Sequence, residues 1–230
     1  MHELHQLPVV DCRLVADRQV LLGLDGTHSP IPASHTVVGQ YVRMGLLGDV
    51  PRPYALANPP GRRQLEFLLK VPAERVPALL GLSSGDKVGI GLAQGKGFPL
   101  DTLAGRPLWL FATGSGIAPL RAVIECILTR RSAYGDVTLL YGVRHASDLA
   151  FQDRFGTWVG HGIQVLPVVS RPLPDTWDGR VGHVQDHLPR SFSHPEQAVV
   201  FVCGVPEMET QLSLALLERG VGAHQIFRNW

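Results

Sequence analysis

The chain has 230 residues, 45% of them hydrophobic and 18% charged, and its 21 Lys and Arg balance 20 Asp and Glu to a net charge of +1. That length allows one or two hydrophobic cores, and the neutral balance provides no general field for nucleic acid or an anionic surface, so neither a nucleic-acid nor a membrane function is expected. No apolar run approaches the ~20 residues of a membrane helix, and Met1-His2-Glu3-Leu4-His5-Gln6 lacks the basic and apolar regions of a signal peptide, so a cytoplasmic protein is expected.

In chain order, residues 6–100 carry short strand-type runs punctuated by Gly, Pro and Asp: Pro8–Ala16, Gln19–Leu24, Tyr41–Leu46, Tyr54–Ala57, Gln64–Val71 and Lys87–Gly91. Six such runs predict a small antiparallel barrel or sandwich. In the fifth, Leu65, Phe67 and Leu69 alternate with Glu66, Leu68 and Lys70, which suits one face fully buried and the other partly so. Pro72–Leu82 holds a short helix with Val76, Leu79 and Leu80 inward, and Ser84-Gly85-Asp86 turns the chain. A boundary falls at Leu100–Arg106, dividing the chain into residues 1–103 and 104–230.

From Pro107 the period changes, with strand and helix alternating. Leu108–Ala112 leads to a helix ending at Arg131, and Asp136–Tyr141 to a helix over Ala146–Trp158. Ile163–Val169 precedes a loop over Arg171–Asp178 and a short helix near Val184–Leu188. Ala198–Val202 leads to a helix over Pro206–Arg219, and Gln225–Trp230 is a last extended piece. Such alternation predicts a parallel sheet covered by helices, with ligands at the carboxyl ends of its strands. The fold class is therefore a two-domain chain: an antiparallel six-stranded β-barrel followed by an α/β parallel-sheet nucleotide-binding domain.

The most informative stretch is Leu108 to Glu125, read as strand, glycine turn and helix. Thr113-Gly114-Ser115-Gly116 reverses the chain sharply, and its glycines let a ligand approach the backbone. Pro119 suits the first helical turn, and Leu120, Val123, Ile124, Ile127 and Leu128 then share one face. Free N–H groups at such a helix start, with partial positive charge behind them, form a phosphate seat, although a βα turn that binds nothing has the same outline. Arg144, at the carboxyl end of the next strand, is placed for a charge-assisted contact there or for a solvated surface role. Cys12, Cys126 and Cys203 lie far apart without cluster spacing, and His183 and His187 at i, i+4 have no third ligand at a recognisable spacing, so no metal site is expected.

With these motifs in hand, the chain resembles the ferredoxin–NADP reductase superfamily, and among its branches the short stand-alone oxidoreductases without an iron–sulfur cluster, which share the motif Ala150-Phe151-Gln152-Asp153-Arg154-Phe155. Ala112-Thr113-Gly114-Ser115-Gly116-Ile117-Ala118-Pro119 matches the family turn that seats the pyrophosphate of NAD(P)H; Tyr141-Gly142-Val143-Arg144 matches a second nucleotide segment. Cys203-Gly204-Val205-Pro206-Glu207-Met208 matches C-G-P-x-x-M with Val205 for proline. The resemblance places Cys203 and Gly204 beneath the nicotinamide, with Cys203 helping to position it, although a free cysteine after a buried strand is also an ordinary apolar filler. Arg52-Pro53-Tyr54-Ala55 matches R-x-[YF]-[ST] apart from Ala55. It implies a flavin phosphate on Arg52, an isoalloxazine on Tyr54, and the loss at Ala55 of a hydroxyl to the reactive ring nitrogen. Gly39-Gln40-Tyr41-Val42 matches the strand before it, and Leu69-Lys70-Val71 closes a strand like the one lining the flavin tail. The family's G-x-x-S, which binds the FAD pyrophosphate, is replaced by Glu74-Arg75-Val76-Pro77, leaving FAD against FMN open. Ser170-Arg171, with Arg180, implies a 2′-phosphate fork and a lean to NADPH, while Trp177-Asp178-Gly179-Arg180-Val181-Gly182 resembles a loop of NADH-dependent members. Trp230 is implied against the flavin ring, or packs on the sheet edge. The function so implied is hydride transfer from NADPH or NADH to a bound flavin, FAD or FMN, and electron transfer to a small-molecule or protein acceptor. A free-flavin reductase and an electron-transfer or regulatory subunit are the alternatives.

Overall fold

The computed structural model describes residues 4–45 and 50–229; Leu46 and Trp230, both included in the elements expected above, lie outside them. The first unit contains β1 (His5–Ala16), β2 (Gln19–Asp25), a single helical turn α1 (Ile31–Ser34), β3 (Tyr41–Gly45), β4 (Arg52–Ala55), β5 (Gln64–Lys70), α2 (Val76–Leu80) and β6 (Lys87–Ile90). Its strands run antiparallel in the order β4-β3-β6-β1-β2-β5. A bridge between Leu56 and Phe67, with Ala57 N–H donating to Glu66 O at 2.8 Å, joins the two ends and curls the sheet into a barrel. The period-2 apolar residues of each strand meet inside: Leu7, Val20, Leu22, Val42, Phe67, Leu69 and Ile90 form one core. Several strand boundaries differ from expectation, and so does the inward face of α2. β4 begins at Arg52 because Arg52 to Ala55 pair with Met44 to Tyr41. In α2 Leu79 is buried while Leu80 stays 40% exposed, because the helix is only five residues long and turns a narrow face inward.

The second unit contains β7 (Leu108–Thr113), α3 (Ile117–Thr129), β8 (Val137–Val143), α4 (Gln152–Gly160), β9 (Ile163–Val169), β10 (Arg180–Val181), β11 (Val199–Cys203), α5 (Pro206–Glu218) and β12 (Ile226–Arg228). All neighbours in the order β10-β9-β8-β7-β11-β12 are parallel. The order reverses between β7 and β11, and a crevice opens above the carboxyl ends of strands at such a switch point. The helix expected over Ala146–Trp158 is broken. Ala146–Asp148 is one 3-10 turn capped by His145 and Asp148, and Phe151 sits at φ +62°. Ala150 N–H donates to the Tyr141 hydroxyl at 3.3 Å, a tertiary bond that removes an amide a continuous helix would use. Val184–His187 is likewise a 3-10 turn.

The units meet along an apolar seam. Leu21, Val38, Leu68 and Phe98 of the first belong to the same buried cluster as Leu110, Ile117 and Phe201 of the second, with Phe98 stacked on Phe201 at 4.5 Å between centroids. The second face of β5 is thus buried at Leu68 by the parallel-sheet unit. Arg121 on α3 pairs with Glu66 on β5 at 2.6 Å and lies 4.8 Å over the Phe151 ring. Asn229 Nδ2 donates to Gly39 O at 3.1 Å. Among the described residues no helix is long and apolar enough to cross a membrane.

Candidate functional site

β7 delivers the chain into a 3-10 turn, Gly114–Gly116, which runs directly into α3. Gly114 has φ +53°, and a Cβ there would meet only Lys70 Nζ at 3.8 Å, so this glycine keeps a backbone face open. Gly116 is required for a different reason from ligand approach. A Cβ on it would lie 2.1 Å from Cys203 O, because the Cys203–Gly204 turn after β11 packs straight onto it. Across the same contact Thr113 Oγ1 accepts the Val205 N–H at 3.0 Å. The two turns flank the switch point and hold each other.

Beneath them lies a polar anchor. Glu209, one residue after Met208 on α5, is buried; its Oε1 accepts the Gly204 N–H at 3.2 Å and its Oε2 accepts Arg228 Nε at 3.2 Å. Burial pushes the Glu209 carboxyl above its ordinary value, against the lowering by the Gly204 N–H and Arg228. The Cys203 thiol is pushed up to about 12, first by burial and then by the Glu209 charge. Cys203 is therefore a neutral thiol at physiological pH, a packing surface and no nucleophile.

Two clefts adjoin at this point. One, of about 590 Å³, is walled on the barrel side by Tyr41, Arg43, Pro53, Tyr54, Ala55, Leu68 and Lys70, and on the other by Thr113 to Gly116, Ala118, Pro119, Cys203 to Val205 and Asn229. The other, of about 530 Å³, runs over the carboxyl ends of β7, β8 and β9 and is walled by Arg18, Lys70, Arg144, Ser170, Gln185, Met208 and Gln211, among others. Lys70, Thr113, Gly114 and Val205 belong to both.

The structure thus brings together Pro53, Tyr54, Ala55, Lys70, Thr113, Gly114, Ser115, Gly116, Ala118, Pro119, Cys203 and Gly204 around one cleft, and Arg144, Ser170 and Met208 around its neighbour. Other expected residues stand elsewhere. The side chains of Leu69 and Val71 fill the barrel core, because alternation along β5 turns only Lys70 of the three to the cleft, and Ile117 is buried in the α/β core. Arg52 is exposed on β4, off both walls. Arg171 and Arg180 are exposed and off the walls too: Arg171 engages through its backbone, its N–H to Arg144 O and its O to His145 Nδ1 at 2.7 Å, while Arg180 opens the short edge strand β10. Sequence reasoning did not single out Arg18, Gln185, Gln211, Glu209 or Asn229. Only Glu209 carried a signal, since it directly follows the Cys203 to Met208 motif.

A six-stranded antiparallel barrel facing a parallel α/β sheet across a cleft at the glycine turn defines a two-domain barrel and α/β class. The family model described as an oxidoreductase NAD-binding domain matches residues 110–213. The chain is similar to the fruit protein pKIWI502 of Actinidia deliciosa, with 31% identity over 82% of this chain and 64% of that protein. It is similar to the sulfhydrogenase 1 subunit gamma of Pyrococcus furiosus, with 29% over 82% and 66%. With the ferredoxin–NADP reductase of Pseudomonas aeruginosa it shares 30% identity over 80% of each chain. The chain spans somewhat under two thirds of the length of the first two. Among solved structures it is similar to the Amycolatopsis cytochrome P450 reductase, with a TM-score of 0.83 and 27% identity over 100% of this chain and 70% of that one. The ferredoxin NADP+ reductase of Neisseria gonorrhoeae with bound FAD and NADP shares the fold, with a TM-score of 0.80 at 21% identity over 100% and 99%. The chain belongs to the ferredoxin–NADP reductase superfamily.

Proposed function

We propose that the protein is an NAD(P)H-dependent flavin oxidoreductase in which residues 1–103 hold a flavin, residues 104–230 hold the nicotinamide dinucleotide, and electrons leave to a protein acceptor. The observation that carries the reading is the shared wall of the two clefts: Thr113, Gly114 and Lys70 border both the Tyr54 side and the Arg144 side. A groove of these volumes, apolar with a few convergent polar groups, is of the size that takes a cofactor.

The residues fit a flavin ring in the first cleft and a dinucleotide in the second. Tyr54, Pro53, Ala55 and Leu68 offer an aromatic and apolar surface. A flavin held there would supply acceptance of hydride from nicotinamide and release of electrons onward. Cys203, neutral and buried, shapes the far side of the same space, and Glu209 and Thr113 fix the Gly204–Val205 backbone beside it. Arg144, Ser170 and Lys70 offer cations and a hydroxyl to the phosphates and ribose. A protein acceptor is supported by the names of similar proteins, a hydrogenase subunit and a cytochrome P450 reductase.

A second reading, in which flavin is a diffusible substrate, has one observation in its favour. The segment standing in for an FAD pyrophosphate seat is a 3-10 turn with Glu74 in it, followed by Pro77, which has no N–H to offer, near the start of a five-residue helix. One experiment separates the readings. A purified protein that is yellow and bleaches anaerobically with NADH or NADPH supports the bound-flavin enzyme; a colourless protein that reduces added flavin supports the second reading; a colourless, inactive protein overturns both.

A further inference from the structure

We infer that Arg18, at the tip of the barrel hairpin, is a phosphate-binding residue of the dinucleotide cleft, binding a phosphate of the nicotinamide cofactor together with Lys70 and Arg144. The inference rests on the reading that this cleft takes NAD(P)H and deepens it with a residue from the other unit. Arg18 joins β1 to β2 at φ +53°, a conformation that a non-glycine residue seldom holds unless its surroundings impose it. The hairpin is clipped in place on both sides of Arg18. Asp17 N–H donates to Ser147 O at 2.8 Å, and the buried Gln19 donates through Nε2 to Asp148 O at 2.5 Å. Arg18 O itself accepts the Val71 N–H at 3.1 Å, and Gln19 stands opposite Lys70 in the strand register.

These bonds fasten the barrel to the loop that follows Arg144. They bring Arg18, Lys70 and Arg144, from three distant parts of the chain, to the wall of one cleft. Asp17 holds one edge of the Arg18 guanidinium, Nε to Oδ2 at 3.3 Å, and the carboxylates on the cleft wall are Asp148 and Glu207. Asp148 is engaged through Oδ2 by the His145 N–H at 3.0 Å. Three cations lining one cleft, beside two carboxylates, favour an anion there, and a guanidinium matches a phosphate in shape as well as charge. The cofactor has two such groups, the diphosphate bridge and, in NADPH, the 2′-phosphate.

The test is calorimetric binding of ADP and of 2′,5′-ADP to the full chain, as wild type, Arg18→Gly, Arg18→Lys and Arg13→Ala. Glycine suits φ +53°, so Arg18→Gly removes the cation while keeping the hairpin, and it is expected to melt no lower than wild type. Its affinity for at least one nucleotide is expected to fall about tenfold, with a flatter salt dependence. Arg18→Lys should recover part of the loss, and Arg13→Ala, off the cleft, none of it should be lost. An equal loss for both nucleotides assigns the 5′-phosphate they share, a loss for ADP alone assigns the second phosphate of the diphosphate bridge, and a loss for 2′,5′-ADP alone assigns the 2′-phosphate. Affinities of Arg18→Gly within twofold of wild type for both overturn the inference and leave the NAD(P)H reading standing. A wild type that binds neither nucleotide, nor NADH or NADPH, overturns both.

Discussion

Replacing Gly116 by alanine probes the contact on which the site is built. The added Cβ would lie 2.1 Å from Cys203 O and 2.6 Å from Cys203 C, whereas ordinary contact begins at 3.4 Å, so the two turns must part by about 1.3 Å. Both neighbours are backbone, and no rotamer change relieves them. Overpacking of this kind costs ~1–3 kcal/mol, and the upper end applies because Thr113 Oγ1 and Glu209 hold the opposing turn. At about 2–4 °C per kcal/mol for a chain of this size, the melting temperature should fall by roughly 6–12 °C, with nucleotide binding weakened as the Gly114 face tilts. Gly156→Ala is the internal control. It lies exposed within α4 with nothing inside 4 Å of a new Cβ, so it should gain ~0.5–1 kcal/mol. Circular dichroism melts and a dinucleotide titration on both variants suffice. If Gly116→Ala melts within about 2 °C of wild type and binds as well, the turn-on-turn contact does not organise the site.

Tyr54→Ala should weaken flavin binding roughly three- to tenfold by fluorescence titration, the loss of one aromatic stack; unchanged affinity would take the ring away from this wall. Arg121→Ala should destabilise by on the order of 3 kcal/mol in urea unfolding, because it strands Glu66, whose side chain is only 20% exposed, at the seam. Cys203, with its thiol pushed up to about 12 and its side chain buried, should resist alkylation at pH 8 in the folded protein and react on unfolding, as read by mass spectrometry. Glu209 gives a pH signature with a definite sign. Its folded carboxyl titrates above the ordinary 4.5, so the folded state holds a proton that the unfolded chain has released, and stability falls as pH rises from 4.5 through the folded value. Glu209→Gln has no such titration. Wild-type stability measured against it should decline over that window and level off beyond it, and parallel urea midpoints from pH 4 to 8 would refute this.

The fold was legible where local pattern and tertiary use agree. β7, the glycine turn and α3 were readable because Leu108 to Ile127 need a buried strand, a reversal and a helix face in any context. Phe151 was not readable, since the break before α4 comes from a hydrogen bond to Tyr141 and a cation from α3, neither of which leaves a mark on residues 146–158. β10 escaped for the same reason: Arg180 and Val181 are a strand only because Val168 and Val169 lie beside them. In the site, residues on the turns were visible through their motifs. Arg18, Gln185 and Gln211 reach the cleft only through the docking of loops and units, information that a single chain's pattern does not contain.

The seam also has a consequence for how the protein comes to exist. Leu21, Val38, Leu68 and Phe98 are made before the sheet that covers them, and they lie on the outside of the barrel they belong to. A ribosome that has finished the barrel therefore presents a folded body with an oily flank until β7, α3 and β11 have emerged and Phe201 can meet Phe98. The barrel expressed alone should be sticky for that reason, and the parallel-sheet unit serves it as a cover as well as the far wall of its cleft.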